Sequence, residues 1–152
     1  MKNIVLFDYQ NSRARACPEA FLGKYNGYLQ TDGYKAYDGL AYVENLGCMA
    51  HARRKFMDAK KLQGKGKTGK ADVMLAKIQK LYALESRIKS FTAAERLVER
   101  QEHAIPLLDD LSQWLSKQKV VSSSQLGKAI KYTVGQWPKL IRYVGRGRNG
   151  HC

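Results

Sequence analysis

Tyr28-Leu29-Gln30-Thr31-Asp32-Gly33 is the stretch on which the reading of this chain turns. Aromatic and β-branched side chains bounded by a turn dipeptide read as a short strand, and Asp32 stands where that strand stops. A carboxylate at a strand end followed by glycine suits metal-ion chemistry. The strand holds the carboxylate rigidly, and the glycine lets the chain turn away and leave room for an ion and a phosphate. The same pair is also an ordinary turn, and at this point both readings stand.

Around this stretch the first sixty residues read as α/β. Ile4-Val5-Leu6-Phe7 is an apolar run of strand length. Pro18 and Glu19 open a short helix through Leu22, with proline in the first turn, where its missing N–H does no harm. After Asp32-Gly33, Tyr34 to Leu40 suits a short helix and Leu46 to Met49 a third strand. From His51 the chain turns helical and basic. Gln63-Gly64-Lys65-Gly66-Lys67-Thr68-Gly69-Lys70 is only superficially like a phosphate-binding loop: Ala71 replaces the required Ser or Thr and no strand precedes it. It reads as a solvated basic linker.

Beyond the linker the period becomes helical. Met74, Ile78, Leu81, Tyr82 and Ile88 share one face. Thr92-Ala93-Ala94-Glu95 is a capping box, opening a helix with Leu97, Val98 and Gln101 that Pro106 kinks or restarts. Leu108, Leu111 and Leu115 continue the stripe. Ser122-Ser123-Ser124 leads a last helix with Leu126, Ile130, Val134, Trp137 and Ile141 inward and Pro138 bending it. These stripes are expected to pack on each other and on the sheet.

Composition is that of a folded domain, 44% apolar and 26% charged, but 27 Lys and Arg face only 13 Asp and Glu, a net charge of +14. Such a surplus favours a polyanionic partner, nucleic acid ahead of an acidic membrane surface, because neutralised phosphates release counterions. From His51 to Lys80 there are ten Lys or Arg and two Asp or Glu. Arg53, Arg54, Lys55, Lys60 and Lys61 are the candidate phosphate contacts, with the arginines able to bind bidentately; a solvated face is the plainer alternative.

No stretch approaches the ~20 apolar residues that cross a bilayer, and the apolar start is too short for a signal peptide, so a cytoplasmic location is expected. Cys17, Cys48 and Cys152 are odd in number and scattered, which argues against a disulfide framework. Cys48 and His51 have the spacing of half a zinc site, but Cys17, His103 and His151 are distant; a buried strand residue and a helix-starting histidine are the simpler account. Tyr25, Tyr28, Tyr34, Tyr37 and Tyr42 are expected to pack, with base stacking the alternative.

Two motifs together go further. Tyr28-Leu29-Gln30-Thr31-Asp32-Gly33-Tyr34-Lys35-Ala36-Tyr37, followed by Gly47-Cys48-Met49-Ala50-His51-Ala52-Arg53-Arg54-Lys55-Phe56, resembles the transposases of the insertion sequence 66 family. The likeness extends to Phe7-Asp8-Tyr9 with Ser12-Arg13, and to Arg100-Gln101, Pro106-Leu107-Leu108, Trp114-Leu115, Lys128 to Tyr132 and Trp137. It spans about residues 4 to 144.

The resemblance implies a ribonuclease-H-like sheet, an Asp-Asp-Glu triad and phosphoryl transfer on DNA assisted by two divalent ions, usually Mg²⁺. Asp32 matches the second aspartate and is the expected catalytic residue and metal ligand. The first is expected upstream of Ile4, outside this chain; Asp8 matches a later strand. The glutamate is expected in an Asn-Asn-x-x-Glu-Arg segment soon after Tyr143-Val144. Here the chain reads Gly145-Arg146-Gly147-Arg148-Asn149-Gly150-His151-Cys152, as if translated in a shifted frame.

The expected architecture is therefore α/β: an incomplete ribonuclease-H-like portion over 1–62, a basic linker at 63–71, a helical insertion over 72–144 and a tail unlike the family at 145–152. The expected function is that of a transposase fragment, inactive alone because two acids are missing. Its expected partners are DNA (transposon ends and target) and a full-length transposase or further copies of itself, near the nucleoid and away from membranes. The competing expectations are a non-catalytic basic DNA-binding remnant that modulates a full-length transposase, and a decayed product with no function.

Overall fold

Two five-residue strands lie side by side. β1 (Gly27–Thr31) and β2 (Val43–Gly47) run parallel, with Gly27 opposite Val43 and Thr31 opposite Gly47. Parallel strands need a crossover between them. Residues 32–42 supply it, with one three-residue 3₁₀ turn at Lys35–Tyr37 in place of the helix expected over Tyr34 to Leu40. That helix is cut short because Gly33 and Gly39 both take positive φ, +87° and +68°, which no α-helix accommodates. The third strand begins earlier than expected, at Val43, and Met49 already belongs to the helix after it.

The computed structural model describes residues 4–64 and 66–145. Lys65 of the linker and residues 146–152 of the tail, with His151 and Cys152, lie outside the described residues. The described chain is mixed α/β and mostly helical, with a two-stranded sheet. Ile4-Val5-Leu6-Phe7 is not a strand: it has no regular structure, and Phe7 is 95% exposed. A strand exists only through a hydrogen-bonded neighbour, and among the described residues this run has none.

The helices are α1 (Ala16–Leu22), α2 (Met49–Lys61), α3 (Lys70–Arg87), α4 (Ala93–Glu99), α5 (Ile105–Ser116) and α6 (Gln125–Leu140). α3 has the expected inward face, with Met74, Ile78 and Leu81 buried and Ile88 just beyond its end. Asp72 ties the linker's two sides together. Its carboxylate accepts the Gly69 N–H at 2.9 Å and a Gln63 amide N–H at 2.8 Å, and pairs with Lys60 at 2.6 Å. The α4 capping box forms: Thr92 Oγ1 accepts the Glu95 N–H, and the Glu95 carboxylate accepts the Thr92 N–H.

Between α4 and α5, Arg100–Ala104 form a π-helical turn. Pro106 then sits in the first turn of α5. Proline lacks an N–H and crowds the carbonyl four residues back, so the wider turn lets the helix pass through it without breaking. In α6 the buried side differs from the expected stripe. Thr133 is fully buried while Val134 is 52% exposed, whereas Leu126, Ile130, Trp137 and, just past the helix end, Ile141 face the core as expected.

α6 also begins under a steric constraint. Ser124 Oγ accepts the Gly127 N–H at 3.0 Å, and a Cβ on Gly127 would stand 2.2 Å from the Val121 carbonyl oxygen and 2.9 Å from Ser122 Cα. Both are backbone atoms and cannot swing aside. Gly127→Ala is therefore expected to destabilise the protein. Overpacking costs about 1–3 kcal/mol, more than the ~1 kcal/mol that alanine normally gains over glycine inside a helix. A lower melting temperature is the expected reading, and a higher one would contradict this account.

The core joins α2, α3, α5 and α6 with the segment after α6. Phe56, Met74, Ile78, Leu111 and Ile130 lie in one buried cluster that also takes in Tyr143.

Candidate functional site

Asp32 sits just past the end of β1 with its side chain exposed. Its Oδ1 accepts the Tyr34 N–H at 2.9 Å, a local turn that holds the carboxylate against its own backbone. Below it, the buried Thr31 hydroxyl donates to Asn45 Oδ1 at 3.0 Å and accepts the Gly33 N–H at 3.4 Å. The first turn residues are thus fastened to both strands.

The other fastening comes from far along the chain. Tyr132 on α6 donates its hydroxyl to the Asp32 carbonyl. One helical turn on, the Gln136 side chain lies on Gly33 so closely that a Cβ there would meet it at 2.7 Å. Lys139 pairs with Asp38, Leu140 packs on Gly47, and Arg142 donates to the Asn45 carbonyl at 2.8 Å. One face of α6 and its continuation therefore docks along the C-terminal ends of both strands. The Lys55 ammonium stands 4.6 Å above the Tyr132 ring, a cation–π contact that brings α2 to the same place. Burial pushes the Tyr132 hydroxyl pKa up, and the negative charge of Asp32 adds to that rise.

Of the sequence-derived basic residues, Arg54 and Lys55 are exposed and Arg53 is half-buried, all on the half of α2 nearer the strand ends. Lys60 and Lys61 lie at its far end and already have partners, Asp72 at 2.6 Å and Asp58 at 2.8 Å. Lys60, as hydrogen-bond partner, holds the Asp72 carboxyl below the usual carboxylate range, helped by the Gly69 N–H. Lys61 does the same for Asp58 by hydrogen bond and charge, with Arg54 and Lys55 adding smaller effects. The Lys61–Asp58 pair is exposed at both ends, and such pairs are worth little and yield to a competing phosphate.

Cys48 is buried at the N-cap of α2, and Cys17 is a free thiol. His51 is half-buried, and its Nδ1 has no hydrogen-bond partner among the described residues. Among the described residues no three His, Cys, Asp or Glu side chains come together as a metal cluster. Asp32 therefore contributes one carboxylate, with one oxygen already engaged, and the described residues do not by themselves fit a divalent ion.

Tyr25, Tyr28, Tyr34 and Tyr42 are all more than a third exposed. They line the surface around the strands and do not fill the core. Tyr132 and Gln136 escaped the sequence reading because their partner lies about a hundred residues away. The available signal was faint: Tyr132, Gln136 and Lys139, three polar-tipped residues at i, i+4 and i+7, share one side of the helix. Among the described residues no helix is long and apolar enough to cross a membrane.

Comparison with known proteins places these features in a family. The profile described as Transposase IS66 family matches residues 1–149, including the first residues of the segment set apart above as a tail. Protein y4jD of Sinorhizobium fredii (strain NBRC 101917 / NGR234) is 34% identical over 150 residues, covering 91% of this chain and 29% of that protein. Protein y4hP of the same strain is 30% identical, covering 86% of this chain and 27% of that protein. Protein y4qI is also 30% identical, over 95% of this chain and 29% of its own length. All three are described as uncharacterized, and the chain spans less than a third of the length of each. No solved structure gives a significant match.

Proposed function

Since the chain belongs to the Transposase IS66 family, we propose that it is a DNA-handling segment of a transposase, with Asp32 as one acid of the catalytic set. The observation that carries this reading is the fastening of Asp32. Its turn is held by Thr31 from below and by Tyr132 and Gln136 of α6 from above, with Lys55 close by. Rigid support of that kind is what a ligand carboxylate requires.

In this reading β1 and β2 are part of a ribonuclease-H-like sheet, and the helices after the linker form its insertion. The reaction of the whole enzyme is DNA cleavage followed by strand transfer, with Mg²⁺ as the expected ion. Two ions and a migrating phosphate need several hard oxygen ligands, and Asp32 supplies one carboxylate. The chain is accordingly inactive alone and acts with acids from further polypeptide. Arg53, Arg54 and Lys55 contact DNA phosphates beside the acid, while Lys60 and Lys61 contribute after leaving their carboxylate partners.

Two measurements test this. Binding to a generic DNA duplex should weaken steeply with salt. Replacing Arg53, Arg54 and Lys55 by alanine should reduce the slope of log affinity against log salt by roughly two to three, at about 0.9 per phosphate contact. Undetectable duplex binding at low salt would sink the DNA-handling reading. In Mg²⁺ the chain should leave the duplex uncut, and cutting that disappears in Asp32→Asn would overturn the claim that it is inactive alone.

A further inference from the structure

Beside the Asp32 turn lies a cavity of about 390 Å³, between residues 6–13, α1, β1 and the crossover. Its volume is in the lower range of small-ligand pockets, roughly 300–1,000 Å³. Tyr34, whose N–H holds the Asp32 carboxylate, is one of its lining residues. Tyr37 meets that ring edge-on, centroids 6.3 Å apart. The Arg13 guanidinium lies 4.6 Å above the Tyr34 ring, and the Tyr34 hydroxyl donates to the Arg13 carbonyl at 3.2 Å. Phe21 of α1 lines the apolar side. Asp8 and Gln10 line the polar side, joined by a 2.8 Å hydrogen bond from the Gln10 amide to the Asp8 carboxylate.

This mixture selects among occupants. An apolar side chain filling the space would strip water from Arg13, Asp8 and Gln10 and return no hydrogen bonds, a costly exchange. A flat heterocycle with polar edges meets both halves of the lining. Aromatic rings and guanidinium planes accept its faces, and a carboxylate and an amide accept its donors and acceptors. The surplus of positive charge on the chain favours a polyanion as its carrier.

We propose that the cavity is a nucleobase subsite that takes one unstacked base of a DNA strand, next to the phosphate that approaches Asp32. The base stacks in the pocket formed with Tyr34 and Arg13 and turns its polar edge to Asp8 and Gln10. This rests on the DNA-handling reading and adds to it a preference for unpaired nucleotides.

The test uses the full chain and two oligonucleotides, a blunt duplex and the same duplex with a short single-stranded end carrying 2-aminopurine. The unpaired end should bind about tenfold more tightly, in line with the worth of one stacked base, and its fluorescence should be quenched. Tyr34→Leu and Arg13→Ala, both at exposed positions, should each lose the preference and the quenching and keep blunt-duplex binding. Equal binding of the two oligonucleotides with unchanged fluorescence, while duplex binding is intact, overturns the subsite alone. Quenching that survives in both variants overturns it as well. Failure to bind either oligonucleotide at low salt is the failure of the DNA-handling reading itself.

Discussion

Glu85→Ala is expected to cost about 3–5 kcal/mol, enough to unfold much of a domain whose total stability is of the order of 5–15 kcal/mol. Glu85 on α3 and Arg100 at the π-helical turn are both buried, with Arg100 completely inaccessible. The guanidinium donates to both carboxylate oxygens, at 2.8 and 2.7 Å, and stands 5.5 Å from the centre of the Tyr143 ring. Burial drives the Tyr143 hydroxyl pKa far above the ordinary tyrosine range, and the Glu85 charge pushes the same way.

Removing Glu85 takes away the bidentate partner and leaves a cation in an apolar interior. The double replacement Glu85→Leu with Arg100→Met removes both charges, and it should recover most of the loss, because the pair's own attraction is largely spent on its desolvation. Urea titrations report this as a large fall in midpoint for the single variant and a small one for the double. A single variant within about 1 kcal/mol of the parent would contradict the reading of this pair as a buried charge couple.

Phe56→Ala is the second large effect, at about 3–5 kcal/mol for a fully enclosed aromatic ring. Phe56 is 0% exposed, and it faces the core from the same helix that carries Arg53, Arg54 and Lys55. Its loss opens a cavity among α2, α3 and α6, and so loosens the helix on which the basic residues are mounted. The outcome differs from that of the charge variants. Melting temperature should fall strongly, while the salt slope of the folded fraction's DNA binding stays at its parent value, since no phosphate contact is removed. A changed slope with an unchanged melting temperature would reverse these assignments.

What could be read from the residues alone followed the range of each interaction. The Thr92–Glu95 cap and the α3 stripe were legible because both partners lie within a few residues. The Asp32 strand end was legible for the same reason. Ile4 to Phe7 looked like a strand because apolar composition is local, whereas pairing is not. Val134 has the apolar character of an inward residue, yet Thr133 is the one buried, its hydroxyl donating to the Ala129 carbonyl within the helix. The support that α6 gives to Asp32 was illegible for a different reason. Nothing near Tyr132 or Gln136 names a partner a hundred residues away.

The docking of α6 bears on how this protein can be recombined. Its glycine- and lysine-rich linker invites a cut into two exchangeable cassettes, a strand-bearing one and a helical one. In space, however, α6 is shared property. Tyr132, Gln136, Lys139 and Arg142 meet Asp32, Gly33, Asp38 and Asn45 across that cut. A chimaera between relatives preserves the orientation of the acid only if those eight positions are inherited as a set, so the unit of exchange is this seam and not the segment on either side of it.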